Sequence, residues 1–405
     1  MTFTRGDLEQ VLLGELELWR YGPPHVVFRR LRGECPIHWT DRITSLPSEA
    51  GFWSVTRPED IHTVSRDWRT YSSELGGITS TGVFPLKLIR SMFIGMDPPR
   101  HDRLKMLFQA GFTPKRIAAH EPAIRAIVVA VLDRLAGRGR CDLVNDVAQP
   151  VVSRVIGSFM GIPPEDDAIW ARLMNSTLAF ADPDVNPHGS LDNNIPEIFE
   201  RCRRLIAERR ERPTDDLTSV LVHAEVDGQR LDEQEIVMGF FLLMAAGNDS
   251  TKATYCSGMR ALLEAPEQRR MLLDDPSLIP SAVEESLRMF PAFAHFRRTA
   301  TCDTELAGQT IREGEKVVMW YASSGRDESR YVDPDRFDVR RNPEHQAFGA
   351  GGRHFCLGTA LARLELRVLF GETLARYPNM EFAGEPTWVM STFVNQLKTL
   401  PVKLA

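Results

Sequence analysis

The chain has few cysteines, no long apolar run, no excess of positive charge and no nucleotide-binding loop, and each absence removes a class of function. Its six cysteines, Cys35, Cys141, Cys202, Cys256, Cys302 and Cys356, are spread over 405 residues and none stands in a CxxC pair. That disfavours a structural zinc site, a thioredoxin-like site and the CxxCH attachment of covalently bound haem, and so low a density disfavours a disulfide framework. No stretch of eighteen apolar residues occurs, and the first thirty residues carry Arg5, Asp7, Glu9, Glu15, Glu17 and Arg20. Neither a membrane anchor nor a secretory signal reads from such a start, so a cytoplasmic protein is expected. Lys plus Arg number 49 against 55 Asp plus Glu, a net charge of -6. Nucleic-acid binding needs a concentrated positive field, so small molecules or proteins are the expected partners.

What is present is mostly helical periodicity. Apolar residues recur at three- and four-residue spacing from Leu8 to Trp19 and over 117–135, 151–160, 198–206 and 217–224. Short alternating stretches at 51–55, 304–306 and 316–320 predict a few brief strands. The fold class is therefore mainly α with small β-sheets. Length alone predicts two or three domains, but no flexible linker and no internal repeat divides the chain. Residues 76–93 and 182–196 are irregular yet apolar, either lids over a pocket or plain surface excursions. The arginines of 201–212 alternate with Glu208 and Glu211 and read as a solvated helix face.

Residues 236–247 (IVMGFFLLMAAG) carry no polar side chain. Twelve residues are too few to span a bilayer and too apolar for a surface helix, so they predict a central core helix, with Asp232 and Glu235 spaced as a capping box. The pattern then turns abruptly polar at Asn248, Asp249, Ser250, Thr251 and Lys252 before an apolar stripe resumes. Either Gly247 ends or kinks the helix, or the polar group has work to do inside the core. In the second case a short hydroxyl bonds the carbonyl one turn earlier and opens the helix, while the acid supplies protons.

Residues 348–358 (FGAGGRHFCLG) run into a strong helix. GxGxxG would need glycine at His354, and no GxxxxGK occurs, so a phosphate cradle is disfavoured. The free N–H groups of a helix start would face Cys356 and favour a thiolate. One rigid thiolate is the axial ligand that haem needs when electron donation must favour O–O cleavage; the alternative is a buried structural cysteine.

Three signals in order, AGNDST at 246–251, ESLR at 285–288 and the cysteine loop, resemble the oxygen-site, ExxR and haem-binding motifs of the soluble bacterial cytochromes P450. The resemblance runs from end to end and implies one domain, 1–405, folded around a buried haem b. It implies Cys356 as the iron ligand, flanked by Phe348, Gly349 and Gly358, with Asp249 and Ser250 or Thr251 as the acid and alcohol. Glu285 and Arg288 become a structural pair completed by Arg336, with Arg340 as the other candidate. His101, Lys105, Arg298 and His354 become the donors to the haem propionates. The implied pocket wall comprises Val83, Phe84 and Leu88, Phe180, Leu242, Ala245 and Ala246, Phe293 and Ala294, and Phe393 with Val394.

Three departures stand out: Ser250 replaces the usual threonine, Lys105 replaces the common arginine, and the cysteine loop is one residue longer. The longer loop, with 320–324 and 393–401, is similar to members that oxidise steroid side chains and methyl-branched or linear alkyl lipids. The resemblance implies a mono-oxygenase that takes electrons from ferredoxin and ferredoxin reductase, uses dioxygen, and hydroxylates an apolar steroid, fatty-acid or terpenoid-like substrate. Neither nucleic acid nor a membrane anchor is implied. The rivals are a secondary-metabolite (polyketide) tailoring enzyme, a peroxide-driven variant disfavoured by Asp249 and its hydroxyl neighbour, and a non-catalytic haem-binding sensor.

Overall fold

The computed structural model describes residue 8 and residues 10–44, 46–81, 84–186, 194–226 and 228–404. Its axis is one helix, Glu233–Glu264, ~48 Å long at 1.5 Å per residue. The expected capping box starts it: the Asp232 side chain accepts the Glu235 N–H, and the Glu235 side chain accepts the Asp232 N–H. The helix does not end at Gly247. That glycine is a close-approach point, where an added Cβ would meet Ile156 Cδ1 at 2.7 Å. Around this axis pack Gln149–Met160, Asp167–Leu178, Asn194–Glu211, Ile279–Met289 and Thr359–Arg376, which join it in the largest apolar core.

A five-stranded sheet flanks the helices in the order Ile37–Arg42, Ala50–Val55, Lys316–Trp320, His295–Ala300, Tyr71–Ser72. Ala50–Val55 and Lys316–Trp320 pair in parallel and the other neighbours are antiparallel. The sheet holds Arg298 opposite Val317, on the strand that borders the main cleft.

Two helical expectations are corrected. Residues 10–19 of the first stretch form turns and a single 3-10 turn, Leu16–Trp19, because Trp19 is drawn into a cluster with Phe28 and Trp320 and its indole N–H donates to the Leu13 carbonyl. The expected helix over 117–135 is broken into Pro114–Ala119 and Glu121–Asp133, since Pro122 can open a helix but cannot continue one. Among its described residues the first irregular segment contains one short α-helix, Leu86–Ile89. The second is described at 182–186 and from Asn194 onward, where the helix Asn194–Glu211 already begins. No helix among the described residues is long and apolar enough to cross a membrane.

Candidate active site

A cleft with about 1500 Å³ of atom-free space, part of it open to solvent, lies between the middle of the central helix, the cysteine loop and the strand His295–Ala300. His101, Lys105, Arg298, Phe348, Gly349, His354, Cys356 and Gly358 all reach its wall, although they come from three separate parts of the chain. Leu242, Ala246, Ser250 and Thr251 of the central helix form the facing wall.

The cysteine loop folds back on itself. The Cys356 N–H donates to the Phe348 carbonyl at 2.9 Å. Gly349, Gly351 and Gly352 have φ of 97°, 84° and 80°, a region that side-chain-bearing residues rarely occupy. At Gly352 a Cβ would also come within 2.7 Å of the Ser65 carbonyl oxygen. The expected thiolate preference is only partly present in the protein alone. Burial pushes the Cys356 thiol up, and the Gly358 N–H together with Lys105 and Arg363 pulls it down by less. A bound metal cation reverses that balance, because a coordinating thiol gives up its proton.

The cation side of the cleft fits a ligand bearing carboxylates. Arg298 is buried, at 4% exposure, and makes no ion pair among the described residues. Its Nη1 donates to the Arg297 carbonyl, and burial lowers its pKa. Lys105 donates to the carbonyls of Arg353 and Phe355, and burial depresses it too. The His101 and His354 rings lie 4.2 Å apart at a tilt of 50°, burial drives both imidazoles toward the neutral form, and His101 Nε2 is buried without a partner. An unpaired buried guanidinium and an idle ring nitrogen at one wall are what haem propionates require.

Opposite them, the Ser250 hydroxyl donates to the Ala246 carbonyl at 2.8 Å, the back-bond expected from its position. The helix stays continuous around this bond. Thr251 also reaches the cleft, but its hydroxyl is engaged by Glu365, so the two hydroxyls are not equivalent. Asp249 does not line the cleft. It is buried on another side of the helix, where Oδ1 meets Lys252 Nζ and accepts from Asn248 Nδ2, while Oδ2 has no partner. Lys252 also donates to Gln149 Oε1 at 2.7 Å and Asn175 Oδ1 at 2.8 Å, both on half-buried residues.

Glu285 and Arg288 form a fully buried bidentate pair, Oε2 to Nε at 2.6 Å and Oε1 to Nη2 at 2.7 Å. The third guanidinium is that of Arg341, whose Nε donates to Glu285 Oε1 at 3.1 Å. It is neither Arg336 nor Arg340. Arg336 contributes only its carbonyl, to Arg288 and Arg341, and the Arg340 backbone N–H binds Asp338. The segment crosses Glu285 at Asp338, whose N–H donates to Oε1, and Arg341 is the side chain that this crossing turns inward.

The apolar wall departs most from expectation. Leu242, Ala246 and Phe293 line the cleft. Ala245 and Ala294 are packed into the core instead. Phe393 lies behind Phe293 at 5.0 Å and Val394 bridges to the Phe293 backbone. Phe84 and Phe180 meet edge-on at 6.1 Å away from the cleft lining, and Leu88 faces a separate groove. Val83 lies outside the described residues. Phe93, Ile94 and Phe296 take the expected places, and Glu365 is a further wall residue. Nothing local marks the aromatic and aliphatic ones. Glu365 carries a signal, a carboxylate on the buried stripe of the cysteine helix, one residue from Leu364 and Leu366.

The family profile described as Cytochrome P450 matches residues 186–387. The chain is 37% identical to a methyl-branched lipid omega-hydroxylase of Mycobacterium bovis, over 98% of this chain and 95% of that protein. It is also 37% identical to a steroid C26-monooxygenase of Mycobacterium tuberculosis, over 79% of this chain and 88% of the relative. Among solved structures, Mycobacterium marinum cytochrome P450 CYP268A2 in complex with pseudoionone superimposes with a TM-score of 0.90 at 38% identity, covering 96% of this chain and 97% of the other. The chain belongs to the cytochrome P450 family. It is an oxidoreductase of the haem b mono-oxygenase class.

Proposed function

We propose that the enzyme hydroxylates an unactivated C–H bond of an apolar, chain-bearing substrate, a methyl-branched or linear lipid, a terpenoid or a steroid side chain. Bound haem supplies dioxygen activation and oxygen insertion, and the protein supplies position, dryness and protons. Cys356 would ligate the haem iron, and Arg298, His101, His354 and Lys105 would hold the propionates. Ser250 is the alcohol at the cleft wall. Asp249, joined through Lys252 to the half-buried Gln149 and Asn175, is the acid that stands behind it. Glu285, Arg288 and Arg341 hold the chain segment that leads into the cysteine loop. The whole chain acts as one unit around the cofactor, and electrons arrive singly from a ferredoxin reduced by its reductase.

The observation that carries the substrate class is the wall facing Cys356. Leu242, Ala246, Phe293 and Phe296 supply apolar side chains to the cleft, beside the polar Ser250, Thr251, Thr254 and Glu365. The names of the omega-hydroxylase and C26-monooxygenase relatives support the same class. The first test is the reduced carbon-monoxide spectrum. A strongly red-shifted thiolate-type Soret band is expected, and its absence from the wild type sinks the Cys356 assignment. Cys356→Ala should lose that band and keep a folded chain. The second test titrates branched fatty acids, terpenoids, steroids and a macrolide polyketide against the spin-state spectrum. Tightest binding and turnover of the polyketide would transfer the enzyme to the tailoring class.

A further inference from the structure

The residue beside Glu285 makes a second ion-pair network that no motif announces. Glu284 Oε1 accepts from Arg363 Nε at 2.7 Å and Oε2 accepts from Arg363 Nη2 at 2.8 Å, a fork-on-fork geometry. Oε2 is also 3.1 Å from His345 Nε2. His345 Nδ1 accepts the Ala347 N–H at 3.2 Å, so one neutral tautomer, protonated at Nε2, satisfies both bonds. Burial pushes the Glu284 carboxyl up, but the Arg363 and His345 bonds outweigh it and hold the group at about 2, an anion at any working pH.

This network touches the cysteine loop from two sides. The Arg363 guanidinium lies 4.7 Å from the centre of the Phe348 ring, and His345 packs against that ring at 5.7 Å. The Phe348 carbonyl in turn receives the Cys356 N–H. Arg363 is one-third exposed, whereas His345 is almost fully buried, so the cation is fixed by the anion behind it and not by burial.

We propose that Glu284, Arg363 and His345 are positioning residues that tune the reduction of the haem–thiolate unit, with Arg363 as the cation beside the cysteine loop and Glu284 as the anion that partly offsets it. Reduction adds one electron and hence one negative charge, which a neighbouring cation favours and a neighbouring anion disfavours. Only that electron is transferred, from dithionite in the titration below and from ferredoxin in the proposed reaction. The inference rests on Cys356 being the ligand.

The test is a mediated redox titration of the holoenzyme at fixed pH, read from the Soret band. Arg363→Gln should lower the reduction equilibrium constant about threefold, ~28 mV at ~59 mV per tenfold for one electron. Glu284→Gln should raise it by a similar factor. Arg363→Lys, which keeps the charge but loses the fork, should stay within about twofold of wild type. A structural role alone would move Arg363→Gln and Glu284→Gln the same way or not at all, and either result overturns the proposal. If Arg363→Gln fails to give the thiolate band, Glu284→Gln decides alone, and an unchanged or lowered constant overturns the idea. A wild type with the band but without opposite shifts refutes the tuning and leaves Cys356 standing; a wild type without the band refutes the ligand itself.

Discussion

The two sides of the cleft are built by different physics. On the cysteine side, Glu285 with Arg288 and Arg341, Glu284 with Arg363, and the glycine-bent loop around Cys356 are held by directional bonds with few geometric solutions. On the substrate side, Leu242, Phe293 and Phe296 meet a space whose shape depends on which aromatic ring slides in front of which. Phe393 illustrates this: it was expected at the surface of the pocket and instead supports Phe293 from behind. A site that must fix a cofactor uses charge and glycine-specific backbone turns. A site that must admit a flexible apolar molecule uses interchangeable hydrocarbon.

The contrast can be broken first at its strongest point. Arg288→Ala leaves Glu285 as a fully buried carboxylate, still contacted by Arg341, and breaking such a pair costs about 3–5 kcal/mol. Little soluble holoprotein should survive, as judged by yield and by the carbon-monoxide band. Normal folding of this variant would mean that the cysteine side is as tolerant as the substrate side.

Next, Ser250→Ala should lower the product formed per electron consumed by about tenfold or more, the scale of a lost proton-transfer group. Thr251→Ala should lower it less, because that hydroxyl is already occupied by Glu365. The reverse ranking, measured as product against reductant consumed, would reassign the alcohol.

On the substrate side, Phe293→Ala should weaken an apolar ligand about tenfold, while Phe84→Ala changes it less than about threefold, since one ring lines the cleft and the other does not. Equal effects in a spin-state titration would show that the expected wall was right after all.

The smallest effect concerns the boundary between the sides. Burial pushes the Glu365 carboxyl up to about 8 from 4.5. The folded state therefore keeps a proton that the unfolded chain releases, so the stability Glu365 contributes is full below pH 4.5 and is lost as pH rises toward 8. Relative to Glu365→Gln, the wild-type Tm should fall by a few degrees across that window. Parallel Tm profiles for the two proteins would refute the neutral buried acid.

Much of the cysteine side was legible before any fold was known, because each motif couples residue type to a local geometry. Three glycines within four residues, at 349, 351 and 352, announce a tight backbone path, and Ser250 lies four residues after Ala246, so its back-bond is written into helix spacing. Legibility ended where partners come from afar. Arg341 displaced Arg336 because the chain crosses Glu285 at Asp338, a detail of packing between segments more than fifty residues apart. The Glu284–Arg363 pair was invisible for the same reason.

The sequence by itself therefore determined the family and the cofactor, since those depend on short-range spacing and on chemistry few side chains can supply. Only the tertiary structure decided which arginine completes the Glu285 network, that Asp249 lies behind the wall and not in it, and which rings bound the substrate space. Close packing of apolar groups has no local code, because any hydrocarbon of suitable volume fills a gap equally well until its neighbours are in place.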